Sequence, residues 1–133
     1  MKFMLMMSVP WGKDGDWDLA SWTPDELTAQ IRFMKALNTE LRASGNLVSA
    51  QGLVPPKQAR IVRATKADEP EITDGPFAET KEFLAGFWIV DVESEAEAIA
   101  IAARISVAPG PGGKPLRIAV EVRQVGSAPP EDG

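Results

Sequence analysis

The tightest constraint on the fold is a short run, Phe87-Trp88-Ile89-Val90, with no polar side chain for either side of a strand. Successive strand residues point to opposite faces, so a strand of this kind needs cover on both. The amino-terminal segment makes the same demand. From Lys2 to Val9, Phe3, Leu5, Met7 and Val9 alternate with Met4, Met6 and Ser8, placing apolar groups on both faces. One layer of helices covers only one face of a sheet. The simplest cover for the other is a second copy of the chain, sheet against sheet about a two-fold axis.

The flanking segments supply the order of elements. Thr23, Pro24 and Glu26 combine a T-x-x-E capping box with proline at the first helical position. Leu27, Ile31, Met34, Leu37 and Leu41 then form an apolar stripe, closed by Arg42 and Gly45. A weaker strand is expected over 46–53, ending at Pro55-Pro56. Strands over 60–65 and 71–73, joined by a polar turn, predict a hairpin, and the doubly apolar strand follows over 85–92. Ser94 and Glu97 predict a second capping box, opening an Ala-rich helix that runs to about Ser106 with Ile99 and Ile101 as its bulk. From Leu116 to Val125 the chain alternates again. Leu116, Ile118, Val120 and Val122 are expected on one face, and Arg117, Ala119, Glu121 and Arg123 on the other.

The predicted order, β-α-β-β-β-β-α-β, is a split β-α-β pattern with an inserted hairpin. It predicts an α+β, ferredoxin-like protomer: an antiparallel sheet with two helices on one face. Residues 1–125 are expected to form a single domain. Residues 126–133, with two prolines and no periodicity, are expected as a disordered tail.

Composition narrows the chemistry. The net charge of −5, with no cluster of Lys and Arg, argues against a nucleic-acid partner. Cysteine is absent, which removes thiol nucleophiles and disulfides. Histidine is absent too, and with it go the usual neutral-pH general base and the commonest metal ligand. Tyrosine is also missing. No apolar run approaches the length of a membrane span, and the short amino-terminal one lacks a cleavage site, so a cytoplasmic protein is expected. Asp14, Asp16 and Asp18 alternate as in a calcium loop, but no glutamate stands at the required spacing. The loop at 108–115, APGPGGKP, loosely resembles a phosphate-binding loop, yet Pro111 removes a donor and no Ser or Thr follows Lys114. No cofactor or metal is expected.

Several residues remain as candidates for a site. Asp74 opens the run DGPFAETKE and is either a base whose pKa is raised by burial or the Asx residue of a turn before Pro76. Thr80 and Lys81 can donate to a small anionic or carbonyl ligand, or belong to a solvated turn with Glu79 and Glu82. Arg117, Glu121 and Arg123 are expected in the space between two packed sheets, where they bind a ligand or pair with one another. Trp88 is either core or cavity wall. Trp11, Trp17 and Trp22 are either a lid or a loop folded on its own surface.

The segment DGPFAETKEFLAGFWIVDVES, the opening MKFMLMM, the LRASGNLV and QGLVPP stretches and the closing Glu121-Val122-Arg123 together resemble the YCII-related family, in its DGPF-domain branch. The resemblance implies a dimeric α+β barrel of ferredoxin-like protomers. It also implies a largely unassigned biochemical role, with some relatives encoded beside or fused to alternative sigma factors. The wider superfamily includes cofactor-free isomerases, dehalogenases and monooxygenases, and the YCII branch proper has a His-Asp pair proposed as catalytic. This chain has no histidine, so that chemistry does not carry over. Two readings of function follow: a homodimer binding a small ligand or a partner protein, or a cofactor-free isomerase or lyase acting on a small organic acid with Asp74 as base.

Overall fold

The computed structural model describes residues 1–10, 21–66, 68–75 and 82–126. The elements run β1 (Lys2–Pro10), α1 (Pro24–Ala43), β2 (Leu47–Gly52), β3 (Arg60–Arg63), β4 (Glu71–Asp74), β5 (Glu82–Asp91), α2 (Glu95–Ser106) and β6 (Val120–Gln124). Four strands pair antiparallel in the order β2-β5-β1-β6, and β3 and β4 form a separate two-stranded hairpin. This is the split β-α-β arrangement, with the hairpin inserted between β2 and β5. The protomer is α+β and ferredoxin-like.

Helix α1 begins and ends where local chemistry dictates. Thr23 Oγ1 accepts from the Glu26 N–H at 3.2 Å, and Glu26 Oε1 accepts from the Thr23 N–H at 2.8 Å. At the other end Gly45 adopts φ 80°, a conformation that disfavours a Cβ. The Gly45 N–H then donates to Arg42 O and the Asn46 N–H to Leu41 O, the Schellman closure of a helix. Helix α2 starts differently from the expected box. Ser94 Oγ accepts from the Glu97 N–H, but Glu97 Oε2 reaches back to the Glu93 N–H instead of Ser94.

The core lies between the sheet and both helices. Phe3, Leu5, Met7, Trp88, Val90 and Val92 meet Leu37 and Leu41 of α1 and Ala98, Ile101, Ala102 and Ile105 of α2. The small side chains of α2 allow close approach to the sheet. The sequence pattern misplaces some of the helical bulk. Ile31 is half exposed, while Phe33, which lies outside the predicted stripe, packs against the core beside Met34. Ile99 faces outward, and Ile105 is the sealed residue of α2.

The last strand is shorter than its alternation predicts. Residues 116–119 are not strand, because Arg117 sits at φ 56°, in the left-handed region. The loop before it is closed by its own backbone, with the Leu116 N–H bonded to Ala108 O and Gly110 to Lys114 O. Strand pairing begins only at Val120. The expected tail lies, from residue 127 onward, outside the described residues.

Candidate functional site

In an antiparallel ladder, directly opposed residues share a face. The register therefore sorts each strand into a side that meets the helices and a side that does not. Trp88 lies opposite Leu5, and Val90 opposite Phe3, on the helix side, where both are buried. Trp88 also donates its indole N–H to Asn38 Oδ1 of α1. Of the two alternatives for Trp88, core or cavity wall, the protomer places it in the core, held between sheet and helix.

The other face carries Met4 opposite Ile89 and Arg123, and Met6 opposite Phe87 and Glu121. Ser8 lies opposite Leu84, beyond a bulge that resets the register after Met7. Strand β2 adds Ser49 beside Ile89 and Gln51 beside Phe87. Met4, Met6, Phe87 and Ile89 are each only partly buried, and no described element packs extensively on this side. Glu121 and Arg123, two residues apart on one face, are exposed, and neither has an ion-pair partner among the described residues.

Of the expected site residues, Glu121 and Arg123 stand on this open face and Arg117 does not. Arg117 lies in the irregular segment before β6, with an exposed side chain. Asp74 ends β4, opposite Arg60 in the hairpin. Its side chain is 89% exposed and lies 3.5 Å from Arg60 Nε. The enclosure that a carboxylate base needs is not present around it in the protomer. Thr80 and Lys81 lie outside the described residues, as do Trp11 and Trp17; Trp22 is buried. Phe87, Ile89, Ser8 and Leu84 were not singled out from sequence. An unbroken apolar run does not mark which alternate residues face in, so only the register with β1 could assign them.

The connections gather at one end of this sheet. The carboxyl ends of β1 and β2 and the amino ends of β5 and β6 lie there, as the pairings of Pro10 with Glu82, Gly52 with Gly86 and Met7 with Val120 require. Glu26 ties that end together. Its Oε2 accepts the Gly112 N–H, joining the start of α1 to the loop ahead of β6. The backbone N–H of Thr23, and after it that of Gly112, hold the Glu26 carboxyl below its usual pKa. The opposite end has a shallow depression of about 410 Å³ lined by Asn46, Asp91, Val92 and Glu93. There Asn46 Nδ2 donates to Asp91 O at 2.8 Å.

Among the described residues no group of three or more acidic side chains is arranged to hold a metal ion, and no helix is long and apolar enough to cross a membrane. An uncharacterized protein of Rhizobium meliloti (strain 1021) is 36% identical over 75 residues, 56% of this chain. The matched stretch spans 60% of that protein's own length. The model of the YCII-related domain matches residues 6–112, from β1 through both helices to the loop ahead of β6. The chain belongs to the YCII-related domain family.

Proposed function

We propose that the protein is a homodimeric binding protein, assembled by its open sheet faces and holding a small anionic or carbonyl ligand between them. The observation that carries this reading is the partly buried face of Met4, Met6, Phe87 and Ile89 with Glu121 and Arg123 beside it. Burying apolar area of this kind is favourable at roughly 25 cal/mol per Å². Glu121 and Arg123 have opposite charges and no ion-pair partner among the described residues. A two-fold axis can bring each sign against the other, or leave Arg123 to hold an anion in a low-dielectric space. Ser8, Ser49 and Gln51 add neutral donors at the margin of the same face.

The exposure of Asp74 and its pairing with Arg60 favour binding over catalysis by a carboxylate base. A binding dimer also fits the resemblance, in which some relatives are encoded beside or fused to alternative sigma factors. Light scattering at low micromolar concentration tests the assembly: twice the 14.3 kDa chain mass is expected, and a folded monomer overturns the reading. A thermal-shift panel of small carboxylic and keto acids tests the ligand class. At least one acid is expected to raise the midpoint by mass action, and a flat response across the panel removes the ligand from the proposal.

A further inference from the structure

Sulfur in this chain is confined to thioethers: there are five methionines and no cysteine, so no thiol competes for a mild oxidant. The fold divides those methionines unequally. Met7 is 7% exposed in the core, and Met34 packs against that core from α1. Met1 is 54% exposed and precedes β1. Met4 and Met6 stand together on the open face of β1, two residues apart and so about 7 Å from one another along the strand. Strand β1 lies between β5 and β6, so the pair occupies the middle of that face, where no described element packs extensively. Ile89 and Phe87 flank it on one side, and Arg123 and Glu121 on the other.

We infer that Met4 and Met6 are an oxidation site that sets whether the open face can be buried. The oxidant is a peroxide. A thioether sulfur gives a lone pair to one peroxide oxygen, the O–O bond breaks, an S–O bond forms and water leaves. Sulfur is oxidised by two electrons and the peroxide reduced by two. The resulting sulfoxide is polar and chiral where the thioether was apolar. Its oxygen accepts hydrogen bonds, and burying it without a donor is unfavourable. In the protomer water reaches this face, and Arg123, directly opposite Met4, adds a donor. Against a second sheet the water is excluded, and two-fold symmetry brings two oxidised pairs into one apolar layer. The backbones of Met4 and Met6 are paired to both β5 and β6, so the strand keeps its place in the sheet. Met7 and Met34, which the core depends on, are shielded by it. The effect of oxidation therefore falls on assembly and spares the fold.

This inference rests on the sheet-to-sheet dimer proposed above, and the test separates the two. The full chain and the double variant Met4→Leu, Met6→Leu are treated with hydrogen peroxide. Peptide mass spectrometry reads each methionine, and light scattering reads the mass. Leucine nearly conserves the volume of methionine, so the untreated variant is expected to assemble as the wild type does. In the wild type, Met4 and Met6 are expected to gain oxygen at least about tenfold faster than Met7, and the oxidised chain to scatter as a monomer. The variant, which keeps Met1, is expected to remain dimeric under the same treatment. Methionine sulfoxide reductases with a thiol reductant are expected to restore the wild-type dimer, and failure to recover it overturns the inference. A dimer in which Met4 and Met6 resist peroxide as long as Met7 does overturns the inference and leaves the sheet-face dimer standing. Dissociation of the treated variant assigns the effect to another residue and overturns it as well. Full oxidation of both methionines in an intact dimer overturns it and moves the subunit contact off this face. A monomer before treatment overturns both proposals.

Discussion

Trp88 Nε1 donates to Asn38 Oδ1 at 2.8 Å across fifty residues of sequence, fastening the central strand β5 to the inner face of α1. The indole is 6% exposed, so its N–H has little access to water if the acceptor is lost. Removing one partner of a buried pair leaves the full desolvation penalty of the other, about 1–3 kcal/mol. Asn38→Leu is therefore expected to lower the stability of the folded chain by that amount, despite leucine's better helix propensity. Urea unfolding followed by far-ultraviolet circular dichroism measures it. An unchanged midpoint would mean that the indole finds another acceptor.

Glu26 joins two elements through two oxygens, one accepting from Thr23 and the other from Gly112. Its pKa is depressed in the folded chain, first by the Thr23 N–H and next by the Gly112 N–H. A carboxyl of this kind stabilises the fold fully above its unfolded-state pKa, and the contribution is lost as pH falls through the folded value. Glu26→Gln retains one acceptor for the cap but cannot serve both donors as an anion. The variant is expected to melt below the wild type at neutral pH, and the two melting curves should converge on acidification. A gap that stays constant across the titration would show that the carboxylate charge is not responsible.

The parts of this architecture visible in sequence are those set by local chemistry. Thr23, Glu26 and Gly45 mark the limits of α1 because caps act on the backbone groups nearest to them. The sharing of strands between two faces was less visible. Both strands read as apolar on two sides, but which set meets the helices (Phe3 and Leu5 with Trp88 and Val90, as it proves) was not legible, since alternation within an all-apolar run fixes no phase. Phase comes from pairing with β1, a long-range property. The segment around Arg117 was misread for a different reason. Its alternation fits a strand, whereas the backbone obeys the tight loop closed by Ala108 and Leu116.

That loop makes Arg117 a testable position. A non-glycine residue at φ 56° bears a steric cost of roughly 1–2 kcal/mol that glycine largely escapes. Glycine also makes the unfolded chain more flexible, which offsets part of the relief. Arg117→Gly is thus expected to stabilise the fold modestly, by about 0.5–1 kcal/mol in urea unfolding. Its exposed side chain is replaced without loss of packing. A clear destabilisation would instead point to a contact made by the guanidinium in the assembled protein.

The open face permits a substitution that separates folding from assembly. Met6 faces away from the helices, directly opposite Glu121 on β6 and Phe87 on β5. In Met6→Lys, the new ammonium meets Glu121 across the strands, a pairing that contributes about 0.2–1 kcal/mol to an antiparallel sheet. Within the protomer the change is close to neutral, because the partly buried stem still lies along the sheet while the charge reaches water. Against a second sheet the same lysine has to be desolvated on both copies at once, at a cost of several kcal/mol per charge. The expected result is a protein that still unfolds cooperatively in urea but scatters light as a monomer. A variant that remains dimeric at low micromolar concentration would locate the subunit contact on another surface.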